Sequence, residues 1–395
     1  VSLSRRSFLS GSVVAGSTAA GFPANDTVSV AVVGCGGRAR HLLKSLVATP
    51  GVRVTTLCDV WDVSLAETKK MVPAAATTKR SADVFADKSV DAVLIATPDH
   101  LHVPLTVAAC AAGKDVYVEK PLTHDLGEGR AVVEAQNQHK RVVQVGTQQR
   151  SMPHIARARD LIRGGGIGTV RVVRMSWNRN SDRLRRNPLG VDPKAVDWAA
   201  FRGPAREQPF DEYRFRNWRW YWDFGGGIFT DLMVHWVDVA HWVLGVDHPT
   251  AAVSVGDFAT AKGVWETPDT VQTLLAYPGG VQMHFEGRFC NARRGAHIEF
   301  LGDEGSVYID RGRFEAIPER GRNAVARQEV VGTGPPGADF YDKPDGERLH
   351  LDNWLDGIRT RKPPVAPAEA GVSGAAAAHL ANLALRGGGL AKWPG

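Results

Sequence analysis

One stretch, FGGGIFTDLMVHWVDVAHW, carries the residues best suited to moving a proton. At 3.6 residues per helical turn, Asp231, His235, Asp238 and Trp242 fall within about 60° of one another. Leu232, Met233, Trp236, Val237, Val239, Ala240 and Val243 fill nearly all the rest. A helix that is apolar almost all round is buried, so its polar stripe must face partners or a wet cavity. Imidazole titrates near neutral pH and an adjacent carboxylate fixes its tautomer, which makes His235 a general-base candidate beside Asp231. Two readings compete: a satisfied core histidine with capping carboxylates, and a metal site of Asp231, His235 and Asp238. Three ligands on one helix converge poorly on an ion.

A second constellation points to a dinucleotide. Gly34-Cys35-Gly36-Gly37-Arg38-Ala39 fits G-x-G-x-x-A between a strong apolar strand and a helix. Glycines let the backbone approach a pyrophosphate, whose charge sits at the free N–H groups of the helix start. Asp59, ending the next strand, supplies a carboxylate for the ribose hydroxyls and would repel a 2′-phosphate, which favours NAD over NADP. Arg38 and Arg40 keep NADP open. A tight turn with a capping aspartate is the purely structural alternative.

Two further motifs lie where a doubly wound sheet binds its ligand. TPDHLHVP (residues 97–104) follows the strand SVDAVLIAT; its His100-x-His102 lacks a spaced carboxylate or thiolate to complete a metal site, so helix capping and cofactor packing are expected. Thr97, Pro98, His100 and His102 join the expected cofactor set, with Glu119, Lys120 and Gln148. Lys120, in Glu119-Lys120-Pro121 at a strand end, would point toward a nicotinamide, or else be a salt-bridged surface lysine.

The elements that must position these groups alternate strand and helix from Thr27 to about Thr147, which implies a parallel, doubly wound sheet. Its strands are VSVAVVG, VRVTTLCD, SVDAVLIAT, DVYVEK and VVQVGT, with helices near residues 38–47, 63–71, 104–112 and 126–139. Beyond a helix over 153–163 the texture changes to TVRVVRMSW, AAVSVGDFA, DTVQTLLAY, GVQMHFEGRF, AHIEFLG and SVYIDR, with hairpin turns at Pro278-Gly279-Gly280 and Gly302 to Gly305. The expected fold class is therefore α/β: a Rossmann domain over 25–148, then an α+β domain over 149–395 with a large, mostly antiparallel open sheet. Two C-terminal helices follow from His350, the last capped by Ser373 and stopped by Gly387, and they are placed to pack back on the Rossmann domain. Residues 320–346 read as a Gly/Pro-rich surface loop.

Length after residue 24, about 370 residues, also favours two domains. The net charge of +6 is mild and no nucleic-acid-binding module appears. The basic run 171–187 reads as a solvated or oligomer-facing surface, with an anionic-substrate role as the alternative. Cys35, Cys58, Cys110 and Cys290 lack disulfide-framework spacing and read as small buried thiols. At the start, Ser4-Arg5-Arg6-Ser7-Phe8-Leu9 precedes a weakly apolar Gly/Ala/Ser run, resembling a twin-arginine signal over residues 1–24 that is too short for a stable membrane span. A periplasmic or otherwise exported location follows as an expectation; a plain N-terminal tail is the alternative.

Taken together, G-x-G-x-x-A, E-K-P at 119–121, G-T-Q-Q-R at 146–150 and G-G-G with D-x-x-x-H at 231–235 resemble the glucose-fructose oxidoreductase, inositol dehydrogenase and rhizopine catabolism (Gfo/Idh/MocA) family. The resemblance runs to the ending HLDNWLDGIRTRKPP and HLANLAL. It implies that Lys120 hydrogen-bonds the reacting hydroxyl, His235 takes its proton, Asp231 positions substrate and imidazole, and hydride passes to nicotinamide C4. It also implies a cis Lys120-Pro121 bond and a homodimer or homotetramer. Met233 stands where many members have glycine, which would narrow the space beside the helix.

Seven of the eleven tryptophans lie between 177 and 242. Aromatic faces suit the C–H faces of sugars, so Arg219, Tyr221, Trp222 and Asp223 are candidate substrate contacts, with core packing or a subunit interface as the alternative for about half the tryptophans. An exported enzyme cannot draw on dissolved NAD, so the cofactor must be held through every cycle. The expected reaction is oxidation of a secondary hydroxyl of a sugar or glycoside, for example at C3. The alternatives are redox-neutral glycoside cleavage through transient oxidation, elimination and hydride return, and a non-catalytic cofactor- or sugar-binding protein.

Overall fold

The computed structural model describes residues 27–180, 189–321, 328–330 and 345–394. The proposed signal segment, part of the basic run and most of the 320–346 loop lie outside these residues.

The N-terminal strands β1 (Val28–Val33), β2 (Val52–Cys58), β3 (Ala76–Thr78), β4 (Ala92–Ile95), β5 (Asp115–Val118) and β6 (Val143–Val145) form one parallel sheet in the order β3-β2-β1-β4-β5-β6. Buried on both faces, β1 and β4 are Val/Ile/Leu-rich because neither face meets water, and β5 buries Asp115 and Tyr117 beside its two valines. The helices α1 (Gly37–Leu46), α2 (Asp62–Lys69), α3 (Ser81–Ala86), α4 (His102–Ala111) and α5 (Gly129–Gln138) connect them. Strand order reverses between β1 and β4, so the Gly34 and Thr97 loops face each other across the crevice where such sheets bind ligands. The sequence does not announce β3 or α3: a three-residue strand, two of its residues exposed, and a six-residue helix are too short for a period to show.

After α6 (Pro153–Arg163) comes β7 (Val170–Asn178), followed by α7 (Trp198–Arg202), α8 (Glu212–Arg216) and α9 (Val234–Leu244). The strands β8 (Ala251–Asp257), β9 (Thr270–Ala276), β10 (Gln282–Arg288), β11 (Ala296–Gly302), β12 (Gly305–Asp310), β13 (Phe314–Pro318) and β14 (Gln328–Val330) then build the second sheet. Helices α10 (Asp345–Thr360) and α11 (Ala368–Arg386) precede a final edge strand, β15 (Leu390–Lys392). The nine strands run β14-β13-β12-β11-β7-β10-β9-β8-β15, all antiparallel neighbours except the parallel β7–β10 pair. The expected turns at 278–280 and 302–305 do connect hairpins. One face carries Met175, Trp177, Met283, Phe285, Ile298 and Phe300 into a core shared with α9. The other leaves Val253, Val255, Leu274 and Leu390 exposed.

The C-terminal helices bind the two parts together. Leu351, Trp354 and Leu355 of α10 are buried against Leu42, Leu43 and Tyr117 of the first sheet's layer. The α11 helix begins earlier than expected: Pro367 precedes it without a side-chain cap, whereas Ser373 lies inside and donates to the Asp247 carbonyl at 2.9 Å. Gly387 does end it.

Candidate active site

The chain breaks into open backbone at the end of β1. Gly34 has φ +86° and a Cβ there would meet the Ala96 carbonyl carbon and oxygen at 2.7 Å, so only glycine fits. At Gly36 and Gly37 a Cβ would meet nothing within 4 Å, and no side chain caps α1. Free N–H groups at a helix start beside unfilled space form a cradle for a diphosphate. Asp59, at the end of β2, accepts the Cys35 N–H at 2.6 Å and the Trp61 N–H at 2.8 Å. Burial pushes its carboxyl up to about 6, and those two N–H donors work against the shift. These groups line a cavity of about 720 Å³. At its edge Arg40 is paired with Glu67 and Lys79 with Asp62, and the Asp59 carboxyl stands at the end of β2 where ribose hydroxyls would bind, so the cradle fits NAD.

A smaller cavity of about 310 Å³ adjoins it, and Arg38, Ala96, Thr97, Trp218 and Arg219 line both. Lys120, Asp231 and His235 share this smaller space. Lys120 lies just past β5 and precedes the cis peptide bond to Pro121. Its Nζ donates to the Asp231 carbonyl at 2.8 Å and to Asp231 Oδ1 at 3.3 Å; Arg219 Nε reaches the same oxygen at 3.2 Å. Asp231 sits in a π-helical turn, Phe229–Met233, that leads into α9. Such turns recur at functional sites because they redirect side chains.

His235 is buried and stacks on Trp177 at 5.0 Å. Its Nδ1 is taken by Gln149 Oε1 at 3.0 Å. Burial, and then the charges of Lys120, Arg311, Arg38 and Arg179, hold the imidazole well below its ordinary value. It is a neutral ring whose Nδ1–H points at an amide oxygen, leaving Nε2 as the acceptor. The expected carboxylate partner is thus replaced by Gln149, while Asp231 holds Lys120 and Arg219. The expected polar stripe also divides. Asp238 turns to Arg150, with three bonds of 2.8–3.0 Å, and Trp242 packs under Arg159 and Arg150. Met233 is sealed in the core and does not line the cavity.

The remaining cofactor candidates are spread unevenly. Thr97, Glu119, Gln148 and His102 line the smaller cavity and Pro98 the larger. Thr97 Oγ1 and Gln148 Oε1 are buried with no partner among the described residues, available to a polar ligand. Glu119 Oε1 receives Arg38 Nε at 2.7 Å, and Arg38 Nη1 reaches Glu347 at 2.5 Å, so Arg38 is braced from the sheet and from α10. Ala39 is buried in the core under the cradle. His102 sits between the carbonyls of Pro121 and Thr97, at 2.6 and 3.0 Å. His100 points away: its Nε2 meets the Phe201 carbonyl at 2.9 Å and its ring lies among Phe201, Phe224 and His124.

Of the substrate candidates Arg219, Asp231 and His235 line the small cavity, and Tyr221, Trp222 and Asp223 do not. Tyr221 donates to the Val264 carbonyl, Trp222 has its ring under Arg386, and Asp223 pairs with Arg206 and Arg214. These three brace the chain around the site. Asp99, directly before His100, also lines the small cavity, and burial pushes its carboxyl up to about 8 against the charges of Lys120 and Arg219. No cluster of three metal-binding side chains exists among the described residues. Cys35, Cys58 and Cys110 are buried free thiols, as expected, and Cys290 is exposed.

Comparison with known proteins is consistent across the chain. Residues 28–147 match the GFO_IDH_MocA family model, described as an oxidoreductase family with an NAD-binding Rossmann fold, and residues 198–308 match a GFO/IDH/MocA C-terminal domain. The scyllo-inositol 2-dehydrogenase (NAD(+)) of Bacillus subtilis is 24% identical over 349 residues, covering 86% of this chain and 88% of that protein. The inositol 2-dehydrogenase of Rhizobium meliloti is 25% identical over 370 residues, covering 91% and 96%. A solved levoglucosan dehydrogenase in complex with NADH and levoglucosan superposes with a TM-score of 0.73 at 19% identity, covering 93% of this chain and 100% of that one. No described helix is long and apolar enough to cross a membrane.

Proposed function

Because the chain belongs to the Gfo/Idh/MocA oxidoreductase family, with an NAD-binding Rossmann domain, we propose that it oxidises a secondary hydroxyl of a sugar or glycoside, for example at C3, with a tightly held NAD. The observation that carries this reading is the shared cavity: an ammonium, a neutral imidazole and a carboxylate line one small polar space that opens onto the dinucleotide cradle. When bound, NAD supplies the acceptor for the hydride that leaves the carbinol carbon. The chain supplies the rest. Lys120 Nζ, held by Asp231, donates to the reacting oxygen and stabilises the charge that grows there. His235 Nε2 takes the hydroxyl proton, and Arg219 orients a neighbouring hydroxyl. The relatives' substrates, inositols and levoglucosan, are compact polyols of the size a 310 Å³ space suits.

The test is to denature the purified protein, identify any released nucleotide by mass, and follow the near-ultraviolet absorbance of reduced nicotinamide in the native protein across a panel of polyols, sugars and glycosides. Reduction of bound NAD by at least one compound supports the reading. No reduction across the panel would leave a binding protein. Product masses separate net oxidation from redox-neutral cleavage. The same reading includes export by the twin-arginine route, supported by the Arg5-Arg6 segment; replacing both arginines with lysine should retain the protein inside. It also includes a homo-oligomer built on the exposed sheet face of Val253, Val255, Leu274 and Leu390, to be read by light scattering.

A further inference from the structure

The larger cavity is not made by the first sheet alone. Opposite the Gly34 turn and Asp59 stand Asp197, Phe201, Phe215 and Arg216, all from the long connection between β7 and α9. Among its described residues this connection adds no strand to either large sheet, and yet it is fastened beside the cradle at two separate points. Just past β2, the Asp197 N–H donates to the Val60 carbonyl at 2.8 Å and Trp61 forms an antiparallel bridge with Val196. The Trp61 ring meets Phe215 edge-on at 5.5 Å, and the Arg216 guanidinium lies over it at 4.6 Å. Just past β4, the Phe201 carbonyl meets His100 Nε2, and the Phe201 ring packs against His100 and Phe224. The two fastenings flank the crevice between β2 and β4, so the connection spans it.

We propose that residues 196–219 form a clamp over the adenosine half of the cofactor, and that NAD leaves only when the Trp61–Phe215–Arg216 fastening opens. The ribose-binding position of Asp59, two residues before Trp61, places the adenosine half beneath this end. The inference rests on dinucleotide binding alone, not on the identity of the reduced or oxidised sugar. It gives the burial of His100 and the aromatic wealth of the connection a common purpose: aromatic side chains bury large area at little cost in conformational entropy. A ligand roofed on both sides dissociates slowly, and most of a change in affinity at one site appears in the dissociation rate.

The experiment loads the full chain with NADH, adds excess NAD as a trap, and follows the loss of bound-NADH fluorescence in a stopped flow. Phe215→Ala should speed release by about tenfold or more, with the association rate nearly unchanged. Arg216→Ala, at the solvent side of Trp61, should speed it severalfold and guards against a Phe215→Ala variant that fails to fold. Release within twofold of the parent protein in both folded variants overturns the clamp, as does a parent protein that sheds NADH within milliseconds. A chain that releases NADH slowly, releases it faster in both variants, and oxidises no sugar would leave the clamp standing and remove the proposed activity instead.

Discussion

Gln149 should matter to turnover out of proportion to its distance from substrate. It is fully buried and its Oε1 is the partner of His235 Nδ1 at 3.0 Å. That bond keeps the proton on Nδ1 and the lone pair on Nε2, facing the cavity. Gln149→Leu removes the acceptor inside a buried site, and an unpaired buried donor costs about 1–3 kcal/mol. The ring can relieve this by moving its proton to Nε2, where it no longer accepts. If that cost appears in the barrier, kcat/KM falls by about 10- to 100-fold, while NAD content stays unchanged because Gln149 does not line the cradle. Gln149→Glu tests the sign. The imidazole is held well below 6.5 by burial and by the Lys120 charge, so the parent enzyme keeps its base unprotonated through neutral pH and its acid limb lies below the ordinary imidazole range. An added carboxylate raises that pKa, so the acid limb of the kcat/KM profile should move to higher pH. Stopped-flow reduction of bound NAD across a pH series reads both effects. Gln149→Leu with turnover within twofold of the parent, or Gln149→Glu with an unmoved acid limb, refutes the assignment.

Three further outcomes follow from buried charge. Asp99, pushed up to about 8 by burial from an ordinary 3.8, favours its protonated form in the fold, so its contribution to stability is lost as pH rises through about 8; the melting temperature of Asp99→Asn should gain on the parent between pH 5 and 9, and parallel curves would contradict this. His100, His350 and His379 are held near 4, and His241 near 3, by burial. These bases stay neutral in the fold, so stability present above 6.5 should drain away as pH falls toward 4; His379→Gln should flatten the slope by up to about 1.4 kcal/mol per pH unit, read by denaturant titration. Asp238→Ala leaves the buried Arg150 without its carboxylate, which should cost about 3–5 kcal/mol in denaturant unfolding; a loss below about 1 kcal/mol would show the pair to be solvated.

The first sheet, the Gly34 turn, Asp59, Lys120 and His235 were legible because each rests on local pattern: apolar runs bounded by turns, glycine spacing, and strand ends at a switch point. What stayed hidden was set by contacts distant in sequence. Gln149 and His235 are 86 residues apart, and nothing in Gln148-Gln149 says which amide turns to the imidazole. A regular 3.6-residue helix places Asp238 on one stripe with His235, and both do lie in α9, but Asp238 is drawn to Arg150 while His235 turns to Gln149. Tyr221, Trp222 and Asp223 looked like sugar contacts by residue type, but their partners Val264, Glu266, Arg206 and Arg214 take them elsewhere. Asp99 has one signal in the sequence, a carboxylate directly before His100 at a ligand-binding strand end.

Lys120 and His235 act on one oxygen beside a retained cofactor in the proposed reaction. The direct measurement is single-turnover reduction of bound NAD by a sugar that the parent enzyme oxidises, in Lys120→Ala and His235→Ala, with nucleotide content checked by mass after denaturation. Both variants should keep their NAD and slow reduction by at least about 10²-fold. Parent-like rates in both, with NAD in place, would contradict the assignment.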